Sequence, residues 1–418
     1  MPDIERFDPF LPAVHEDPYP FYACLREQDP VHWGMPFLAS QPGAWYVSRY
    51  VDVARLLKDS TLVKNPRTIY PPEALPPVPD EIRFFADMSR LSILLSDPPD
   101  HTRLRKLVSQ AFTPRMVEQL RAPIGALATA LLDNVDARGA SDATGASGEL
   151  DIIADYAYPL TLHVIATMIG VPADQRELLA RWASVLLRTL DLAPSQAEFV
   201  EANRVAHEAF AFFGELIGER RAHPRDDLLS DLIAVHDQED RLSEAELIVM
   251  CTLLLLAGFD TTINLLGNGM LALLQHPDQL ALLRAQPELL PSAIEELLRY
   301  EPSTQKALRY ATVDGKLHGK QIGKGQAVIL LLASANRDPA VFAEPDRLDI
   351  TRTDNRHLGF GAGIHVCLGA PLARLEGQIA ISTVVRRYQR IALRSAKPEW
   401  REDVVTFRRL ARLPVVLG

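Results

Sequence analysis

One of the three cysteines in this 418-residue chain stands in unusual company. In HLGFGAGIHVCLGAPLARLE (357–376), three glycines and Phe360 lead to Cys367; Gly369 follows, and then a run of strong helix formers. Cys367 therefore sits at a helix N-terminus, where free N–H groups and the positive dipole end favour a thiolate. Gly361 and Gly363 carry no side chain, so the backbone can approach a flat ligand closely. A core residue, a nucleophile and a metal ligand all remain open readings. His365 shares a face with Cys367 if the segment is extended, as a base would. No recognised cysteine-hydrolase pattern accompanies the pair.

A second constellation is AGFDTT (257–262), inside a long apolar run. An aspartate there is costly without partners, so Asp260 needs a reason. Thr261 lies four residues after Ala257, and its hydroxyl can bond the Ala257 carbonyl and open a kink. Gly258 leaves room for a group against the helix. The cluster reads as a polar notch for proton delivery or as a water-filled defect. Glu296 and Arg299 in EELLRY (295–300) are helical neighbours, and Arg347 in ANRDPAVFAEPDRLDITR (335–352) is placed to close a buried Glu–Arg–Arg network. In DPPDHTRLRKLVSQAF (97–112), His101 and Arg105 present two donors on one face, suited to a carboxylate or phosphate.

The elements that must position these residues are mostly helical. Apolar residues recur at helical spacing over 115–135 and 175–220. Ser243 and Glu246 form a capping box that opens a helix running to about His276, roughly 33 residues or about 50 Å. Strand signals lie in GAWYVSRY (43–50) and within 306–332. The segment RGASDATGASG (138–148) reads as an exposed loop, and the six prolines between 66 and 79 exclude regular structure there. The fold class is mainly α with small β-sheets (α+β), with residues 1–418 forming one domain. A composition 47% hydrophobic and 23% charged is that of a soluble protein. The N-terminus has no secretory pattern, and the 13-residue uncharged run LIVMCTLLLLAGF (247–259) is shorter than a membrane span, which points to a buried core helix in a cytoplasmic protein. Cys24, Cys251 and Cys367 are too scattered for a disulfide framework or a zinc site. The net charge of −10 opposes broad nucleic-acid binding.

Together and in this order, the motifs carry a resemblance. FGAGIHVCLG resembles the haem-binding signature of the cytochrome P-450 superfamily: Phe, Gly, x, Gly, x, His, x, Cys, x, Gly. The acid–alcohol pair of the long helix, the later Glu-x-x-Arg and the Pro-Asp-Arg arginine stand at family-like spacing over essentially the whole chain. The resemblance, to the soluble bacterial type, implies haem b (iron protoporphyrin IX) between the central helix and the cysteine loop, with Cys367 as axial ligand of the haem iron. It places Phe360 beside the thiolate, His101, Arg105, Arg309 and His365 near the propionates, and Ala257, Gly258 and Gly361 against the ring. Asp260 and Thr261 become a proton relay.

The implied activity is a haem-thiolate monooxygenase that hydroxylates or epoxidises a hydrophobic substrate. The sequence is similar to members acting on macrolides and other polyketides, with fatty-acyl hydroxylation as the alternative and a non-catalytic haem sensor as a reading of another class. Electrons would come from NAD(P)H through a ferredoxin or flavodoxin with its reductase. Arg103, Lys106, Arg115, Arg386, Arg387 and Arg390 would form the basic docking patch on a cytoplasmic monomer. Ile69, Tyr70, Leu91, Ile93, Leu94 and Trp182 suggest a roomy apolar pocket. Arg67, Arg83, Arg90 or Lys306 would meet a polar end of the substrate, unless Lys306 snorkels outward.

Overall fold

The structure, a computed structural model, describes residues 7–36, 42–75, 77–140, 148–191, 194–236, 242–402 and 404–418. Its axis is the helix Glu244–Gln275, opened as expected by reciprocal bonds between Ser243 and Glu246 (2.7 and 3.2 Å). Leucines surround this central helix, so it has no polar face to give to water and must lie inside. By length and composition it is apolar enough to cross a membrane, yet most of it is buried by other helices. Those neighbours are Tyr158–Met168, Arg176–Arg188, Gln196–Ala222, Leu290–Tyr300 and Ala370–Arg387. Close approach is possible because of glycine: a Cβ at Gly267 would stand 2.4 Å from Ile153 Cδ1, and one at Gly258 2.8 Å from Ile165 Cδ1.

Two expected helices are each split in two. The 115–135 run becomes Pro114–Gln119 and Arg121–Ala140; the 175–220 run becomes Arg176–Arg188 and Gln196–Ala222. The second break has a local cause, since Pro194 precedes Ser195, whose side chain forms a capping box with Glu198. Among the described residues of the proline-rich stretch 66–79, only the short 3-10 turns Pro66–Thr68 and Pro72–Ala74 form. Of the expected 138–148 loop, residues 138–140 end a helix, and 141–147 lie outside the described residues.

The main sheet runs Val31–Gly34, Ala44–Val47, Ala327–Leu331, Lys306–Ala311, Leu62–Val63, antiparallel except between Ala44–Val47 and Ala327–Leu331. Strand alternation sends Arg309 and Ala307 to one face and Lys306 and Leu308 to the other. This overturns the substrate-anchor reading of Lys306. It does not snorkel outward either: it is buried, donates from Nζ to the Val405 carbonyl at 2.9 Å, and burial holds its ammonium down at about 8.

Behind the cysteine loop lies a fully buried ion pair. Arg299 binds Glu296 through Nε and Nη2 (2.7 and 2.8 Å) and donates to the carbonyls of Asn336, Pro345 and Arg347. Glu296 also accepts from the Asp349 amide, Arg352 Nε and Asn355 Nδ2. The second arginine of the network is therefore Arg352 and not Arg347. The Arg347 side chain points outward to Glu344 and only its backbone takes part, because the turn at 345–349 brings carbonyls inward.

Candidate functional site

Cys367 is exposed, whereas Cys24 and Cys251 are buried. Its amide donates to the Phe360 carbonyl at 3.0 Å, closing a loop that enters the helix Ala370–Arg387. Gly361 and Gly363 take left-handed φ angles of 68° and 74°, and a Cβ at Gly363 would stand 2.6 Å from the Leu57 carbonyl oxygen. The thiol is reachable but walled in by protein. Burial raises its pKa, against the pull of the Gly369 N–H, Arg105, the Ala370 N–H and Arg374. Arg374 lies 4.7 Å from the Phe360 ring and pairs with Glu295. Burial pushes the Glu295 carboxyl up, but Arg374 and His357 together hold it at about 2.

Beside the thiol, basic side chains converge, and Asp97 is the one carboxylate among the described residues that acts on them. His101 and His365 face each other with ring centroids 4.2 Å apart, and His101 Nδ1 is buried with no hydrogen-bond partner among the described residues. Burial first, then Lys64, Arg309, His101 and Arg105, holds the His365 ring down at about 2. Burial likewise lowers Arg309 to about 10 and Lys64 to about 7. The carboxylate acting on the group is Asp97, which is occupied by the amides of Lys64 and Asn65, both at 2.9 Å. Such a donor set fits a dianion, as haem propionates are. The structure thus brings His101, Arg105, Arg309 and His365 together and adds Lys64, which sequence reasoning missed.

Lys64 yields a pH prediction for the haem-free protein. Its folded pKa of about 7 lies below the ordinary 10.5, so between those values the unfolded chain holds more protons. Stability therefore rises with pH through that window, and the full cost is present below it. Thermal unfolding of apoprotein from neutral to moderately alkaline pH should show this rise, and Lys64→Met should flatten it. An unchanged slope in the variant would place the proton elsewhere.

Across the site, Ala257 is exposed in the middle of the otherwise buried central helix. Thr261 donates to its carbonyl at 2.6 Å, as its spacing predicts. Gly258 does not face this opening: its bare side meets Ile165, so its lack of a Cβ serves helix packing. Asp260 accepts from Asn264 Nδ2 (2.9 Å) and from Arg409 Nη1 (3.1 Å). Asn264 lies four residues on, on the same helical face, and Arg409 is far away in sequence; sequence reasoning singled out neither.

Other expectations divide. Trp182 is buried, with Nε1 bonded to Glu208, and Ile69 packs under the sheet beside Val63 and Tyr310, so neither is a free pocket wall. Tyr70 lies at the surface over Gly325; Leu91 and Leu94 stay half-buried and Ile93 joins the core. Arg83 and Arg90 pair with Asp80 and Asp87, which leaves Arg67 without a hydrogen-bond or ion-pair partner for its side chain among the described residues. In the expected basic patch, Arg103 turns to Glu246 and Arg387 to Asp133 and Asp136, whereas Arg115, Arg386 and Arg390 have no ion-pair partner among the described residues.

A buried Glu–Arg–Arg network, a long interior helix with an acid–alcohol pair and a cysteine loop flanked by basic side chains define a haem-thiolate protein. The chain belongs to the cytochrome P450 family, whose model matches residues 83–406. It is 43% identical over 404 residues to the biotin biosynthesis cytochrome P450 of Bacillus subtilis (strain 168), covering 96% of each chain. It is 39% identical over 426 residues to the 6-deoxyerythronolide B hydroxylase of Saccharopolyspora erythraea, covering 100% of this chain and 99% of that one. A crystal structure of P450BioI in complex with an acyl carrier protein ligated to hexadec-9Z-enoic acid superposes with a TM-score of 0.87 at 40% identity, over 97% of this chain and 99% of that one. The protein is a monooxygenase; it uses haem b, takes electrons from NAD(P)H through redox partners and acts on hydrophobic substrates.

Proposed function

We propose that the substrate is a polyketide- or macrolide-like natural product, hydroxylated or epoxidised at a carbon held over the face that Ala257 and Thr261 line. The observation that carries the site is the exposed Cys367 at a helix start, beside a cluster of basic side chains that includes the buried, unpartnered His101 Nδ1 among the described residues. Cys367 would be the axial iron ligand, with Phe360 packed beside the thiolate. His101, Arg105, Arg309, His365 and Lys64 would hold the propionates, and Ala257 and Gly361 would lie against the ring. Haem, when bound, supplies the activation of O2. Asp260 and Thr261 hold and move the protons this chemistry consumes. The substrate seats between the central helix and the turn near Thr406.

The macrolide reading draws on the full-length similarity to the 6-deoxyerythronolide B hydroxylase. A fatty-acyl substrate is the second reading, favoured by the biotin-biosynthesis relative and by the acyl-carrier complex. The electron donor is an acidic ferredoxin or flavodoxin, served by its reductase. It docks on the cysteine side of the molecule, where exposed Ile364 and Val366 rim the loop and Arg115, Arg386 and Arg390 have no ion-pair partner among the described residues. The protein works in the cytoplasm as a monomer, without membrane or nucleic acid.

Optical titration of the ferric protein tests the substrate class. A ligand that fills the site should blue-shift the Soret band. A shift with a macrolide-sized lactone alone supports the first reading, and a shift with a long-chain fatty acid alone supports the second. No shift with either would sink both.

A further inference from the structure

Arg374 lies seven residues after Cys367, in the helix Ala370–Arg387 that the cysteine loop enters. Its guanidinium carbon stands 4.7 Å from the centre of the Phe360 ring. Phe360 is tied to Cys367 in turn, since its carbonyl accepts from the Cys367 amide at 3.0 Å. Arg374 thus sets a full positive charge over the ring that adjoins the cysteine. Burial raises the pKa of the Cys367 thiol, and Arg374 is among the charges that pull against that rise.

A long arginine side chain does not keep one place at a surface unless something fixes it, and here Glu295 does. Arg374 Nε donates to Glu295 Oε1 at 2.6 Å and Nη2 to Oε2 at 2.8 Å, the two-pronged fit of a guanidinium on a carboxylate. Glu295 is itself steadied by His357. The Gly359 amide donates to His357 Nδ1 at 3.1 Å, so the ring carries its proton on Nε2 and donates it to Glu295 Oε2 at 3.0 Å. His357 therefore positions without adding charge, and one cation and one anion remain. The two side chains are 38% and 28% exposed, whereas the neighbouring Glu296–Arg299 pair is fully buried. Part-exposed ion pairs contribute little to stability, so a pair held this carefully beside the cysteine loop needs another reason.

We propose that the Glu295–Arg374 pair sets the reduction potential of the haem iron held by Cys367, with Arg374 supplying the charge and Glu295 fixing and offsetting it. The inference rests on the reading of Cys367 as the axial ligand. Accepting one electron from the donor protein adds a negative charge on the far side of the sulfur. A cation near the sulfur favours that state and an anion opposes it, and through protein the field is screened less than through water. Arg374 therefore raises the potential and Glu295 lowers it.

The test is a spectroelectrochemical titration of substrate-free holoenzyme, with the thiolate absorption of the reduced, carbon monoxide-treated protein recorded for each sample. Arg374→Gln should shift the potential down and Glu295→Gln should shift it up, because each leaves the opposite charge unbalanced. The double variant should lie between the two. Arg374→Lys keeps the charge without the fork and should stay close to wild type. Added salt should narrow the gap between the single variants, since both charges are part-exposed. A purely structural clasp would behave differently: breaking it from either side disturbs the same loop, so both single variants would move the potential the same way. Shifts of one sign, or no shift in either variant while the thiolate band stays intact, would overturn the proposal. A wild type without the thiolate band would overturn the reading of Cys367 and the proposal with it. Should Glu295→Gln not fold, the arginine variants decide alone. A fall with Gln and none with Lys supports the proposal, and equal changes in both sink it.

Discussion

Arg299→Ala is expected to cost about 3–5 kcal/mol, the range for breaking a buried ion pair by removing one partner. Most folded domains have only about 5–15 kcal/mol in total, so little stable protein should remain. The cost is high because the guanidinium does two jobs. It neutralises a carboxylate with no exposure, and it satisfies the carbonyls of Asn336, Pro345 and Arg347 on the meander that leads to the cysteine loop. Arg299→Lys should rescue only in part, since an ammonium cannot reproduce the planar fork of donors. Urea unfolding and bound-haem content measure both effects. Arg347→Ala is the control: its exposed pair with Glu344 should contribute less than about 1 kcal/mol. Equal losses in the two variants would mean that the network has been assigned to the wrong arginine.

That control marks where sequence reasoning reached its limit. The Glu296–Arg299 pair was visible because i,i+3 spacing on a helix fixes the contact locally. The third member was not, because Arg347 and Arg352 both follow a turn, and only the turn's path decides which one points inward. The same division recurs elsewhere. The capping box at Ser243 and the Thr261 bond to Ala257 are local and came out as expected. Arg409, Lys64 and the burial of Lys306 depend on segments that meet only after folding, so no window of sequence contains them. Gly258 shows a subtler point: a small residue in a helix marks a close approach, and a Cβ there would meet Ile165. The cysteine loop was legible for a different reason. Its left-handed glycines are a local backbone property and the Cys367 amide closes on the Phe360 carbonyl seven residues back, whereas the approach of Gly363 to the Leu57 carbonyl comes from far away in sequence.

Cys367→Ala is expected to abolish monooxygenase activity, by more than about a thousandfold, because on the proposed reading Cys367 would hold the haem iron through a thiolate, the ligand type that favours O2 activation. The thiolate-specific absorption of the reduced, carbon monoxide-treated protein should vanish with it. Stability should change little by comparison, since Cys367 is exposed and its removal opens no cavity in the core. Cys251→Ala makes the opposite prediction. That thiol is buried in the central helix, where burial holds it up at about 12, so it is inert and acts only as packing. Its loss should cost about 1 kcal/mol and leave the absorption intact. The comparison separates the two readings of a lone cysteine by experiment: activity and colour must follow Cys367, and stability must follow Cys251. If the Cys367→Ala protein kept its thiolate absorption, the ligand would have to be another cysteine, and the other two, Cys24 and Cys251, lie buried. Neither stands at a helix start beside the basic side chains, so the basic cluster and the thiolate would then belong to different sites.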